Sequence, residues 1–268
     1  MGCIVKHGRD QNETDSAAVV DRDYVIALEK GLAIIEAFGR LRASATLTEI
    51  SEMTGNTKAS VRRSLHTLCR LGYALQTGRQ FQLAPRALRL GSAFVLSDDL
   101  TRLAQPILEM AAETTRESAS MAVLEMQDVV FVARATHRRS LSVGLSAGAR
   151  LPAYASATGR VLLAGQPKDW TLFILNRMNR PMLTAKTKTQ IADVLGQIEL
   201  AKQQGYAICD QELELGLRSI AVPISDRQGR VVAAMSLSVA TSRMDIAKII
   251  EKLLPELERA KQKLTVLI

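Results

Sequence analysis

The chain has 268 residues, 47% of them hydrophobic and 23% charged, the ordinary composition of a globular protein large enough for two modest domains. Apolar runs fall short of the roughly 18 residues of a membrane span, and the N-terminus lacks the apolar core of a signal peptide, so a cytoplasmic protein without a membrane partner is expected. The net charge is +8, and residues 24–90 hold ten Lys and Arg against four Asp and Glu, a local excess typical of a module that binds phosphate groups.

The first part of the chain is predicted to hold three helices. Residues 1–22 are polar and without periodicity, as in a disordered tail. Apolar residues then recur every two to four positions, which predicts an amphipathic helix. The stretch "TLTEISEM" indicates a short second helix with Thr46 or Thr48 near its N-cap. After the turn "TGN", a third helix is predicted to run from a cap at Thr57 to about Leu71.

A β-hairpin is predicted next. In "YALQTGRQFQL" apolar and polar residues alternate on both sides of the turn at Thr77-Gly78. Two helices joined by a glycine-containing turn and followed by a hairpin form a winged helix-turn-helix. We therefore predict such a domain over residues 23–84.

The rest of the chain is predicted to be a linker and a mixed domain. Pro85 favours the start of a helix, and residues 85–97 are expected to link the domains. Over residues 98–268, helices flank six predicted strands: "ASMAVLEM", "VVFVARAT", "LSVGL", "YAICD", "LRSIAVPI" and "RVVAAMSLSV". This pattern predicts an α+β fold with one antiparallel sheet covered by helices.

The third helix is the candidate reader of DNA. Its predicted core face holds Ala59, Val61, Leu65 and Leu68. The remaining polar or basic side chains are left for solvent or DNA: Thr57, Lys58, Ser60, Arg62, Arg63 and His66. The second helix of a helix-turn-helix enters the major groove, where such groups reach bases and phosphates. Arg79 and Gln80, beside the hairpin turn, are expected at the backbone or minor groove. The alternative is a basic solvated face on a winged helix that binds protein, and His66 fits a phosphate contact or a surface residue equally.

A small-anion site is predicted in the second domain. Ser236 and Ser238 are two apart on a strand and therefore share a face, while Ser219 alternates with Arg218 on another strand. The stretch "YASATGRV" begins a helix with small residues, so its free N–H groups can approach an anion. Hydroxyls and helix-start amides together suit a carboxylate, although buried serines satisfied by backbone are the alternative.

A single arginine lies among the apolar residues of the strand "VVFVARAT". Strand alternation places Arg134 on the same face as Val130 and Val132. It is expected either to pair with a carboxylate of the fold, such as Asp210 or Glu212, or to be the counter-charge of a ligand. For three other arginines, structural or interface roles are expected: Arg150, Arg160 and Arg218.

Taken together, four segments resemble the IclR family of bacterial transcriptional regulators over residues 24 to about 266: "LEKGLAIIEAF", "LTEISEMTGNTKASVRRSLHTLCRLGY", "PAYASATGRVLLA" and "DQELELGLRSIAVPISDRQGRVVAAMSLS". Within the family, "YVIALEKGLAIIEAF" and "RLPAYASATGRVLLAG" look most like the PcaR, PcaU and PobR branch, which controls aromatic-acid catabolism. The resemblance implies a GAF-like effector domain, dimers that pair into tetramers, and contact with RNA polymerase if the protein is an activator. It also implies a small carboxylate effector such as protocatechuate, 4-hydroxybenzoate or β-ketoadipate.

The resemblance also implies effector-binding positions. These match Ser219, Ser236 and Ser238, with Ala157 and Gly159 near the helix start, Cys209 or Asp210 on the other side, and Leu145 and Leu217 as apolar wall. The glyoxylate-responsive type of the family has a cysteine where Ser219 stands. That difference argues against assuming a two- or three-carbon effector, although a regulator that binds a short α-keto or hydroxy acid stays open.

An enzyme and an architectural DNA-binding protein are the other hypotheses. The three cysteines and three histidines are far apart and lack metal-ligand spacing, and neither a catalytic triad nor a phosphate-binding loop is present. No catalytic residue, metal or cofactor is therefore expected. An architectural protein would have no use for a domain of about 170 residues beyond its DNA-binding part. The sequence favours operator DNA as partner and a small acid as effector.

Overall fold

The computed structural model describes residues 23–41, 44–137 and 146–268. The predicted tail at 1–22 and the predicted strand "LSVGL" lie outside the described residues. The chain divides into two compact units, one up to Leu90 and one from Gly91 to Ile268. No helix of the described residues is long and apolar enough to cross a membrane.

The first unit is a small helical domain with a three-stranded sheet. Its elements are α1 (Ile26–Arg40), β1 (Ala45–Thr46), α2 (Leu47–Thr54), α3 (Lys58–Arg70), β2 (Ala74–Thr77) and β3 (Gln80–Leu83). The antiparallel strands lie in the order β1-β3-β2. A single core joins helices and sheet through Ile34, Phe38, Ile50, Val61, Leu65 and Phe81. These elements confirm the predicted helix-turn-helix with its hairpin wing.

Side-chain caps define where α2 and α3 begin. Thr46 Oγ1 accepts from the Glu49 N–H at 3.3 Å, and a Glu49 carboxylate oxygen accepts from the Thr46 N–H at 2.7 Å, which makes a capping box. Thr57 Oγ1 accepts from the Ser60 N–H at 3.3 Å and caps α3. The turn between the two helices uses Gly55 with φ of +65°, a left-handed conformation that favours glycine.

In its described residues, the second unit is one six-stranded antiparallel sheet between two layers of helices. A 3₁₀ turn (Pro85–Ala87) and α4 (Leu88–Ser97) lead into it. Its elements are α5 (Asp99–Thr115), β4 (Ser118–Glu125), β5 (Asp128–Ala135), β6 (Arg150–Pro152), α6 (Ala157–Ala164), α7 (Lys168–Arg177), α8 (Ile191–Gln204), β7 (Ala207–Asp210), β8 (Leu217–Ser225), β9 (Val231–Ala240) and α9 (Ile246–Thr265). The strand order is β6-β5-β4-β9-β8-β7.

The two faces of this sheet bury different clusters. Helices α5 and α9 cover one face, where Met121, Met235 and Leu237 are fully buried. Helices α6 and α8 cover the other, against Ala122 and Ala234. The sequence predicted the α+β architecture correctly, but β6 and α7 were not predicted. Strand β6 has only three residues, and the apolar residues of α7 are consecutive rather than at helical spacing.

Candidate nucleic-acid interface and ligand cavity

The outward face of α3 carries an uncompensated positive charge. Lys58, Arg62, Arg63 and His66 are all exposed, whereas the core residues Val61, Leu65 and Leu68 of the helix are buried. Among the described residues, no carboxylate forms an ion pair with any of these four side chains. Thr57 is exposed too, but its hydroxyl is occupied by the cap. The face is free to neutralise phosphates or to contact base edges.

Two neighbouring residues of α3 face the opposite way to the prediction. Ser60 was expected to point outward, yet it is only 8% exposed, and Ala59, expected in the core, is exposed. Successive helical residues are about 100° apart, so Ser60 lies at the flank of the stripe that begins at Val61. Ala59 is two positions before Val61 and so points about 200° away from it. Ser60 is therefore a buried residue of the helix rather than part of the outward face.

The hairpin wing presents a second exposed basic group. Strands β2 and β3 are joined by Gly78, whose φ is +61°, and Arg79. The Gln76 side chain donates to the Gly78 carbonyl at 2.9 Å and so stabilises the turn. Arg79 and Gln80 are exposed at the tip. Their predicted contact with the DNA backbone or minor groove stays a prediction.

In the second unit, strand register brings a row of hydroxyl groups together. Ser236 of β9 lies opposite Ser120 of β4, and Ser238 lies opposite Ser219 of β8. The three serines predicted from the sequence therefore do share one cavity, which Ser120 also lines. Ser120 was missed, although the alternation in "ASMAVLEM" places it on one face of its strand. The cavity wall is thus richer in hydroxyls than the sequence analysis indicated.

A β-bulge turns Arg134 towards this row. Pairing between β4 and β5 shifts after Met121, and Val132 is left without a directly opposite partner. The extra residue reverses the alternation, so Val132 packs with the α5 and α9 cluster. Arg134 pairs with Ser120 and lines the serine cavity together with Phe131. The predicted common face of Arg134 with Val132 is therefore wrong.

Arg134 has no carboxylate partner among the described residues. Its Nε is buried without a hydrogen-bond acceptor, and burial lowers the pKa of its guanidinium. Asp210, one predicted partner, accepts instead from Arg218 Nε at 2.5 Å. Glu212, the other, is paired with Arg160. The predicted ion pair of Arg134 with Asp210 or Glu212 is therefore not formed. The alternative, that Arg134 is the counter-charge of a ligand, stays a prediction.

The cavity is small and only partly open to solvent. Its volume is about 40 Å³, enough for ordered water but well below the roughly 300–1,000 Å³ of typical ligand pockets. Besides the serines and Arg134, it is lined by the apolar side chains of Phe131, Leu151, Leu213 and Leu217 and by the start of α6, where Ser156, Ala157 and Thr158 lie. A ligand the size of an aromatic acid fits this space only if these walls move apart.

Two residues from the predicted effector set do not line this cavity. Gly159 packs against a second 3₁₀ turn (Ala153–Ala155), where an added Cβ would lie 2.1 Å from the Ala153 carbonyl oxygen. Asp210 alternates with Cys209 on β7, so Cys209 faces the cavity and Asp210 points to the other side. Leu145 lies outside the described residues. Gly159 therefore allows α6 to pack closely on the preceding turn, and Asp210 forms an ion pair with Arg218.

Cys209 is an inert thiol at the cavity wall. Its Sγ donates to the Ala155 carbonyl at 2.9 Å, and burial raises the pKa of the thiol to about 11. At neutral pH the group is therefore protonated. It serves as a small apolar wall residue with one weak donor.

Both units match models of known protein families. A family model described as bacterial transcriptional regulator IclR C-terminal matches residues 92–266, and one described as IclR helix-turn-helix domain matches residues 27–78. The chain is 40% identical to the Pca regulon regulatory protein of Pseudomonas putida over 91% of this chain and 84% of that protein.

The chain is also similar to solved structures. A putative transcriptional regulator from a Rhodococcus strain has a TM-score of 0.79 at 37% identity, covering 90% of this chain and 97% of that one. The inducer-binding domain of the PobR transcription factor of Acinetobacter, as a double mutant in complex with 3-hydroxybenzoic acid, has a TM-score of 0.59 at 29% identity. It covers 62% of this chain and 98% of that one.

Proposed function

This chain belongs to the IclR family of bacterial transcriptional regulators, and we propose that it controls genes of aromatic-acid catabolism in response to a small carboxylate. The relative from Pseudomonas putida is named for the Pca regulon, and the Acinetobacter domain is a complex with a hydroxybenzoic acid. The observation that carries the proposal for this chain is Arg134, which has no carboxylate partner among the described residues, beside four strand serines in a small cavity.

The DNA part of the proposal assigns α3 to the major groove of an operator. Within the part of the chain that the structure describes, its outward cations pair with no carboxylate, so phosphates and guanine edges are their natural counterparts. Arg79 at the wing would contact the backbone or the minor groove. A homodimer that docks two such helices requires half-sites one turn of DNA apart or a multiple of it, and a dimer of dimers would occupy two such pairs.

The effector part assigns Arg134 to the carboxylate. An arginine binds a carboxylate through two parallel hydrogen bonds, and a charge-assisted pair in a partly enclosed cavity is stronger than one in water. The serine hydroxyls both donate and accept, so they suit ring hydroxyl groups. Phe131, Leu151 and Leu217 offer apolar contact for a ring. A short α-keto or hydroxy acid is the alternative, favoured by the small volume of about 40 Å³.

Control of DNA binding requires that the effector prefer one of two arrangements of the protein. A ligand changes DNA affinity only by as much as its own affinity differs between them. We assign the connection to the segment at 85–97. Its first turn packs on the DNA-binding unit, because the Arg86 guanidinium lies 5.2 Å from the centre of the Tyr73 ring. Tyr73 comes three residues after the end of α3. A shift of this segment would therefore bear directly on the helix that contacts DNA.

A ligand screen and a gel-shift assay test the proposal together. Thermal melting of the full chain is measured with protocatechuate, 4-hydroxybenzoate, β-ketoadipate and pyruvate, and each is assayed for consumption. A melting shift with an aromatic acid that is not consumed is expected, whereas turnover would indicate an enzyme. A shift with pyruvate alone would favour the short-acid alternative. Absence of any complex with promoter DNA at low ionic strength would remove the regulatory function altogether.

A further inference from the structure

Ala59 stands out on the outward face of α3. The exposed residues of the first two helical turns are Lys58, Ala59, Arg62 and Arg63, and Ala59 alone among these described residues is apolar. Helical residues three and four apart are neighbours, so the two arginines flank the alanine methyl group. A single exposed alanine has no significance on an ordinary surface. On a helix assigned to the major groove, however, an exposed alanine can contact a base.

The chemistry of the major groove restricts what can lie against such a methyl group. Residues in the first turns of a recognition helix face base edges. Each base edge carries hydrogen-bonding groups, and only thymine adds a C5-methyl group. Alanine neither donates nor accepts, so burying a polar base edge against it would leave that edge without its hydrogen bond to water. A thymine methyl loses no hydrogen bond and gains apolar contact.

We infer that Ala59 recognises one thymine in each operator half-site, through contact between its methyl group and the thymine C5-methyl. This inference rests on the proposed function, in which α3 enters the major groove. Arg62 and Arg63 supply charge and hydrogen bonds beside the contact, but neither distinguishes thymine by its methyl group. Ala59 is thus a specificity residue that adds base selectivity beside three exposed cations, Lys58, Arg62 and Arg63.

The test removes the thymine methyl without changing base pairing. The full-length protein is used to select an operator from random duplexes, and each thymine is then replaced by deoxyuridine in turn. At one thymine in each half-site, Kd should rise about fourfold, the fold-change equivalent to ~0.8 kcal/mol for one buried CH₂-sized group. Other thymines outside the contact should show no change and serve as internal controls.

Variants of Ala59 assign the effect to this side chain. Ala59→Gly should bind the thymine and deoxyuridine operators equally, and Ala59→Ser, which perturbs the helix less, should reduce the discrimination. Helix content by circular dichroism checks that both variants fold. Undiminished discrimination in Ala59→Gly, or a wild-type protein indifferent to every thymine methyl, overturns the inference alone. If no duplex is bound at low ionic strength, both the inference and the proposed function are overturned.

Discussion

Arg160 and Glu212 form a two-point ion pair inside the second unit. The two guanidinium nitrogens Nη1 and Nη2 donate to Oε1 and Oε2 at 2.7 and 2.6 Å, and the side chains are only 1% and 4% exposed. The Lys188 N–H donates to the same carboxylate at 3.1 Å. Arg134, in contrast, is partly buried without any described carboxylate. The fold thus neutralises one arginine within its core and leaves the other available to a ligand.

Removing one member of the buried pair should destabilise the protein strongly. In Arg160→Met the Glu212 carboxylate stays buried without its counter-charge, and such a loss typically costs about 3–5 kcal/mol. Urea unfolding followed by fluorescence measures it, because the single tryptophan, Trp170, lies in α7 of this unit and reports on it alone. The double variant Arg160→Met with Glu212→Leu should regain part of the loss. A loss below about 1 kcal/mol in the single variant would show that the pair is not essential to the fold.

The equivalent substitution at Arg134 should leave stability unharmed but weaken ligand binding. Arg134→Met removes a partly buried cation that has no described partner, so the unliganded protein should melt at the same or a higher temperature. Affinity for 4-hydroxybenzoate, or for whichever acid shifts the melting temperature, should fall at least about tenfold, since a hydrogen bond to a charged group contributes roughly 1.5–3 kcal/mol. Arg160→Met is the matched control. Equal ligand affinity in Arg134→Met and wild type would place the carboxylate elsewhere.

Local sequence signals predicted most of the secondary structure. The caps act through hydrogen bonds to residues three positions away, so the sequence predicted Thr57 directly and narrowed the other cap to Thr46 or Thr48, of which the structure has Thr46. The serine pair at Ser236 and Ser238 shares a face for an equally local reason, the two-residue repeat of a strand. Their meeting with Ser219 depended on the resemblance to a family, because pairing between distant strands has no local signal.

The errors came from non-local packing. The bulge at Val132 reverses the facing of Arg134, and it depends on how β5 pairs with β4 rather than on either strand's own sequence. Ser60 and Ala59 exchanged their predicted places because hydrophobicity ranked the alanine above the serine, whereas the helix position decides which one is buried. Helix α7 was missed because a run of consecutive apolar residues has no helical period.

Stability should fall as the pH drops below the ordinary carboxyl range. Burial alone would raise the pKa of Glu212, but the hydrogen bonds and charge of Arg160 outweigh it, and the net pKa lies below the usual 4.5. A lowered folded-state pKa gives stability that is present above the unfolded pKa and is lost as the pH falls through the folded one. Urea unfolding of wild type and Glu212→Gln between pH 7 and 3 checks this. The two stability curves should converge towards low pH, and parallel curves would contradict the assignment.

Alanine at either arginine of the outward face of α3 should weaken operator binding. Arg62→Ala or Arg63→Ala should raise Kd at least about fivefold if a base contact is lost, and should lower the salt slope by about 1 if a phosphate contact is lost. Arg259→Ala is the charge-matched control, because Arg259 is exposed on α9 in the other unit. Fluorescence anisotropy across a salt series measures both quantities. If the α3 variants behave like the Arg259 variant, α3 is not at the DNA interface.

Opening of the ligand cavity should be measurable through Cys209. The thiol is 4% exposed, and its raised pKa of about 11 leaves about one thiol in a thousand ionised at pH 8. In a variant with Cys3→Ser and Cys69→Ser, reaction with a disulfide reagent should therefore be slow in the native protein and rapid in urea.

The effect of ligand on this reaction distinguishes a cavity whose walls move apart to admit an acid from one that never opens. If an acid enters by moving the walls apart and then fills the space beside Cys209, saturating 4-hydroxybenzoate should slow labelling further, and Arg134→Met should abolish that protection. A cavity of about 40 Å³ that never opens would give labelling only at the rate of global unfolding, unaffected by the acid. Labelling at the rate of a free thiol would contradict the burial of Cys209 itself. The slow, ligand-protected rate is the result expected if the walls move to admit the effector.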